Sequence, residues 1–160
     1  MLFVIGLSCA GCGTTLVPVV VGTSAAPREG ASRTPNAFEI VTRTSSVKDP
    51  LPITGSDFAF ASLEPALEQA LAANVPVRDG YQLTVELISA DADFSGSRVR
   101  IALVARATLR EREGNTFVAQ AQTICRDSAL VSPKSGGRVV IGCMRRLARD
   151  VGAWLDSLPP

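Results

Sequence analysis

The chain has 160 residues, 46% of them hydrophobic, and a formal charge of +1. That is enough for one domain with a real core, and it gives no bulk electrostatic case for binding nucleic acid. With no histidine anywhere, Ser–His and Cys–His nucleophile systems are excluded outright.

The chain opens MLFVIGLSCAGCGTT, a short apolar run ending at a C-x-x-C pair, Cys9 and Cys12. A redox pair of this kind needs its first Cys at a helix N-terminus after a strand, and no such unit precedes it here. A zinc site would need two more ligands, and the spacing of Cys125 and Cys143 suits no zinc knuckle. The segment instead resembles the lipobox of bacterial lipoproteins. Leu2 to Leu7 form the apolar core, Ala10 and Gly11 are the small residues, and Cys12 is the acylated residue, with Cys9 the alternative. The resemblance implies a lipoprotein signal segment over residues 1–12. No Lys or Arg precedes Arg28, so the basic start of a signal is missing and the natural start is expected upstream. An uncleaved membrane anchor is the competing reading, because residues 1–27 carry no charged side chain. Gly6, Gly11, Gly13, Pro18 and Gly22 interrupt that span. Either way the body faces an exported, oxidising compartment, where Cys125 and Cys143 are expected to pair. The alternative is two separate buried thiols.

Residues 13–36 are rich in Gly, Ser, Thr, Ala and Pro and read as a flexible tether, with the VPVVV patch able to pack locally. Residues 37–160 read as a single α+β domain. Phe38 to Thr44 alternates and predicts a strand, followed by a loop carrying Pro50, Pro52 and Gly55. Leu63, Leu67, Ala70 and Leu71 recur at helical spacing, with Ser62 or Asp57 as cap and Asn74 and Pro76 as the stop. Three strands follow, joined by the hairpin-length segments ADADFSG and REREGN. The first puts Tyr81, Leu83, Val85 and Leu87 on one face. The second turns Val99, Ile101, Leu103, Ala105, Ala107 and Leu109 inward. The third sets Phe117, Ala119 and Ala121 against Val118, Gln120 and Gln122. A final helix carries Val140, Met144, Leu147, Val151, Trp154, Leu155 and Leu158 as one stripe. The predicted order is β-α-β-β-β-α, a four-stranded, mostly antiparallel sheet with two helices packed on one face.

The chemistry of sites is sparse. The sequence has no phosphate-binding Gly loop, no nucleophile elbow and no acidic cluster at metal spacing, so no enzyme, cofactor or metal is expected. Asp91 and Asp93 look like a fragment of a calcium loop without its other ligands, and read as a solvated hairpin. Arg98, Arg100, Arg106 and Arg110 share one parity of a single strand. They form a candidate anionic-lipid face, since arginine grips phosphate bidentately. The same pattern also suits the wet side of any one-sided sheet.

The segments GYQLTVEL and LARDVGAWLDSL, with the lipobox-like start, resemble the ABC-type transport auxiliary lipoproteins. A similar layout occurs in the lipoprotein that partners the lipopolysaccharide-assembly barrel. The resemblance covers about Phe38 to Leu158. It implies a non-catalytic lipoprotein on the periplasmic face of the outer membrane, held by its lipid anchor. Such a protein assists lipid or lipopolysaccharide transport beside an ABC transporter or an outer-membrane component. The contrasting expectation is a periplasmic protein-interaction lipoprotein acting on cell-wall synthesis or secretion machinery.

Overall fold

The computed structural model describes residues 14–19 and 38–159. The signal segment, with Cys9 and Cys12, and residues 20–37 lie outside the described residues. The elements are β1 (Thr15–Pro18), β2 (Glu39–Arg43), β3 (Leu51–Thr54), β4 (Phe58–Ala61), α1 (Leu63–Asn74), β5 (Tyr81–Ser95), β6 (Arg98–Glu111), β7 (Phe117–Ala129) and α2 (Gly137–Ser157). A short 3-10 turn, Pro133–Ser135, leads into α2.

The α+β class and the two helices stand as expected, but among the described residues the sheet has seven strands and is mixed, where four were expected. Its order is β1-β4-β3-β5-β6-β7, with β2 also on β5. The three extra strands have four residues each. β3 and β4 form an antiparallel hairpin inside the segment expected to be a Pro-rich loop and helix lead-in. Pro52 has no N–H to give a ladder, which is why it reads as a strand breaker, yet it is exposed on β3 opposite Ala59. The turn at Gly55 has φ +84°, and a Cβ there would lie 2.5 Å from the Phe94 carbonyl oxygen. Only glycine fits both conditions. β1 lies within the 13–36 stretch expected to be a tether, takes in the Val17-Pro18 start of the VPVVV patch, and runs parallel to β4 with Thr15 opposite Phe58.

β5, β6 and β7 make a long antiparallel meander. β5 continues through Ala90–Ser95, which were expected to be loop, so the turn to β6 is only Gly96-Ser97. A β-bulge between Leu87 and Ser89 shifts the register there. It switches the parity of buried residues, from Leu83, Val85 and Leu87 to Ala92, and so conceals the continuing strand from a strict alternation test.

Below the bulge β5 pairs in parallel with β2, and beyond it in parallel with β3. β2 is pinned to the first helix by Thr44, whose hydroxyl donates to the Glu64 carboxylate at 3.1 Å.

The helices cover one face. α1 buries Leu63, Ala66, Leu67, Ala70 and Leu71; α2 buries Val140, Cys143, Met144, Leu147, Val151 and Leu155. Opposite them lie Leu83, Val85, Leu87 and the whole inward row of β6 from Val99 to Leu109, each at most 3% exposed. The two helices approach so closely that a Cβ on Gly152 would meet the Asn74 carbonyl oxygen at 2.6 Å. Ser62 occupies the N-cap of α1 as expected, but with a left-handed φ of 68° and no side-chain cap of its own. The cap comes from Asp49, whose carboxylate accepts from the Ser62 and Leu63 amides at 3.2 and 3.1 Å. Such a cap contributes about 1 kcal/mol.

Cys125 and Cys143 are joined, with their Cα atoms 5.5 Å apart. Cys125 lies inside β7, four residues short of its end, and Cys143 in the second turn of α2. Both are at most 1% exposed, so the bond staples helix to sheet within the core.

Candidate functional site

Among the described residues nothing covers the face of the sheet away from the helices. Alternation along β6 sends Arg98, Arg100, Ala102, Val104, Arg106, Thr108 and Arg110 to that side, because residues of one parity share a face of the pleat. The cross-strand register extends it. Glu86, Arg106 and Gln122 form one row; Ser89, Val104 and Ile124 the next; Asp91, Ala102 and Arg126 a third; and Asp93, Arg100 and Ser128 a fourth. β2 adds Glu39 beside Gln82 and Arg43 beside Glu86.

The four arginines singled out in the sequence do share this face, but they are not equivalent. Arg100 is ion-paired to Asp93 at 3.5 Å. Arg98 donates to the Ser128 hydroxyl at 3.0 Å, and Arg110 to the Asn115 carbonyl at 3.1 Å. Arg106 has Glu86 and Gln122 as its cross-strand neighbours and makes no hydrogen bond or ion pair among the described residues. Glu86 is engaged by the Ser46 hydroxyl at 2.6 Å instead.

A second arginine in the same position was missed by the sequence reading: Arg126 on β7 is exposed and also has no such partner among the described residues. The signal for it was present, since Arg126 shares parity with Gln120 and Gln122. Between the two lie Val104 and Ile124, the latter 52% exposed, with Ala102 beside them. The result is an apolar floor bounded by two uncommitted guanidinium groups.

A shallow depression at one end of this face is lined by Asp91, Asp93, Arg100, Arg126, Asp127 and Ser128. It carries both signs of charge. Asp127 is held by Arg146 of α2 at 3.3 Å, which leaves Arg126 as its uncommitted cation. Among the described residues no group of three metal-ligating side chains forms, and no helix is long and apolar enough to cross a membrane. Asp91 and Asp93 lie on β5 itself, not in a loop, and accept from the Ser89 and Ser95 hydroxyls, each at 3.3 Å.

The outer edge of the meander, β7, has no strand beyond it among the described residues. Its stretch from Phe117 to Cys125 has no charged residue and exposes Phe117, Val118 and Ile124. Uncharged edges of this length are unusual, because unpaired backbone groups invite further strands.

The fold as a whole resembles that of protein XCC0632 from Xanthomonas campestris, described under the family model DUF330. The TM-score is 0.60 at 13% identity, over 88% of this chain and 94% of that one. Looser likenesses are found to a minor lipoprotein from Acinetobacter baumannii (TM-score 0.39, 14% identity, 79% of this chain and 100% of that one). Lipoprotein GNA1162 from Neisseria meningitidis is another (TM-score 0.32, 14% identity, 49% and 51%). No family model and no curated protein matches the sequence.

Proposed function

We infer that this protein is a non-catalytic, lipid-anchored envelope protein, acylated at Cys12 and held at the periplasmic face of the outer membrane. Its open sheet face takes an anionic amphiphile, a phospholipid or a lipopolysaccharide, as an accessory of an ABC-type transport system. The observation that carries the ligand class is the pair Arg106 and Arg126 flanking Val104 and Ile124. Guanidinium groups without a partner among the described residues are available to phosphate, and the partly exposed apolar floor between them suits an acyl chain. The segments GYQLTVEL and LARDVGAWLDSL, which carry the resemblance, supply the first half of β5 and much of α2.

The test is chemical. A Cys12→Ala chain, purified without detergent, is extracted with organic solvent and the extract analysed by mass spectrometry. Anionic lipid at a stoichiometric level is expected, and several-fold less in Arg106→Gln/Arg126→Gln. No lipid from either protein removes the lipid-carrier reading. In the full chain, labelled fatty acid should be incorporated at Cys12 and lost in Cys12→Ala. Loss in Cys9→Ala alone would transfer the anchor to Cys9.

A second reading has its own observation, the uncharged edge of β7. It makes the protein an interaction module that adds its edge to a strand of cell-wall or secretion machinery. A protein-only pulldown with a lipid-free extract favours that reading.

A further inference from the structure

We propose that the end of the sheet at which β1 begins is a bilayer-docking surface, so that the domain stands end-on to the membrane. The proposal rests on the reading of Cys12 as the acylated residue. The chain is fixed to the body from Thr15 onward. The Thr15 amide donates to the Asp57 carbonyl at 2.8 Å, and Val17 and Val19 are buried at 7% and 2% exposure. Three residue steps separate Cys12 from Thr15, a reach of at most about 11 Å. Even from Cys9 the reach is only about 22 Å. An acylated cysteine lies at the headgroup level, so Thr15 is held close to it.

The register identifies what else lies at that end. Thr15 sits beside the β3–β4 turn, whose Gly55 abuts the Phe94 carbonyl. Phe94 and Ser95 run into the β5–β6 turn, with Ser95 opposite Arg98. Val99 faces Ala129, the last residue of β7, and Leu130 follows. This end therefore presents Leu16 and Leu130, exposed at 55% and 70%, together with Arg98, the exposed Asp57 beside Thr15 and, in the 3-10 turn just beyond, Lys134, so that basic side chains outnumber the acidic one. Exposed leucines gain by leaving water, and basic side chains are drawn to anionic headgroups.

The opposite end also exposes apolar side chains, Val77 and Phe117. It is excluded by distance. The 14 residues of β6 separate the two ends by about 45 Å, at about 3.3 Å per residue. That is several times the reach from Cys12. One consequence is that the face carrying Arg106 and Arg126 opens sideways into the compartment, where a ligand or partner can approach it, and does not lie on the bilayer.

The experiment places a fluorophore on the acylated full chain at Ser95→Cys or at Glu113→Cys, both exposed. Cleavage ahead of Cys12 removes Cys9, Cys12 is capped by its lipid, and Cys125 and Cys143 are joined and buried, so only the introduced thiol reacts. The protein is reconstituted into vesicles of phosphatidylethanolamine and phosphatidylglycerol carrying a headgroup-attached quencher. Several-fold quenching is expected at position 95 and almost none at position 113. Equal quenching at both, or stronger quenching at 113, overturns the orientation and leaves the anchor standing. Failure of the unlabelled protein to float with the vesicles overturns the anchor, and this proposal with it.

Discussion

The two faces of β6 are built from alternate residues of one strand and answer to different demands. The inward row, Val99 to Leu109, is sealed under α2 and beside the disulfide. The outward row, Arg98 to Arg110, mixes arginines with Ala102, Val104 and Thr108 and is covered by nothing among the described residues. The difference teaches where stability and function separate in this molecule. A substitution inward tests whether the fold exists, while one outward can test what the face is for.

The largest expected effect comes from the inward row. Leu103→Ala removes a side chain that is 0% exposed and leaves a cavity beneath Cys125, its cross-strand neighbour. A loss of about 2–5 kcal/mol follows from the transfer and cavity contributions together. Val104→Ala, one residue along and on the other face, should cost under about 1 kcal/mol. Urea unfolding of both variants measures the contrast directly. Comparable losses would mean that the outer face is covered in the folded protein.

Next in size is the staple. Breaking the Cys125–Cys143 bond by replacing both residues with Ala releases a loop with a sequence separation of 18. The chain-entropy model puts the loss at about 3 kcal/mol. Intact mass before and after reduction checks the bond in the parent, with a difference of about two mass units expected. Quantitative thiol labelling without reductant would contradict it. This variant sharpens the comparison between faces, because it weakens the inner one without touching a residue of the outer one.

How much of this was legible in the sequence follows from how each element earns its stability. β6 and α2 carry long, uninterrupted periods of two and 3.6, and every inward residue named for β6 is buried. The short strands have no such signal. β3 gives only Leu51 and Ile53 as buried positions, and β4 continues through Phe60 into Leu63, which blurs a period of two into a helical one. Their stability comes from partners far along the chain, such as Ala92 for Ile53, and no local window contains that information. The cap of α1 is non-local in the same way, since Asp49 lies 14 residues before the Leu63 amide it accepts from.

The candidate face shows the same division. Strand parity was enough to place Arg98, Arg100, Arg106 and Arg110 together. Which of them is free depends on Asp93, Ser128 and Asn115, and those contacts arise from the pairing of strands. Phe117 shows the limit of parity itself. A register shift between Leu109 and Arg110 brings it opposite Arg110, 55% exposed, where simple alternation had set it with Ala119 and Ala121.

The smallest expected effect on stability is also the one that tests the outer face most directly. Arg106 and Arg126 make no ion pair or hydrogen bond among the described residues, so Arg106→Gln/Arg126→Gln removes two charges without breaking an internal contact. Glutamine keeps a polar, flexible side chain, shorter than arginine and uncharged. Unfolding midpoints should therefore agree with the parent to within about 0.5 kcal/mol. Binding of the unacylated Cys12→Ala chain to anionic lipid should behave differently. The parent should lose affinity steadily as salt rises, since exposed charges act through a screening length of about 10 Å at 0.1 M. The double variant should bind several-fold more weakly at low salt and show a flatter dependence. Arg98→Gln/Arg110→Gln is the matched control, because it also removes two charges from this face, but from guanidinium groups already donating to Ser128 and Asn115. If Arg98→Gln/Arg110→Gln weakens binding by the unacylated chain as much as Arg106→Gln/Arg126→Gln does, net charge alone governs binding. The Arg106–Arg126 pair would then have no special place on the face.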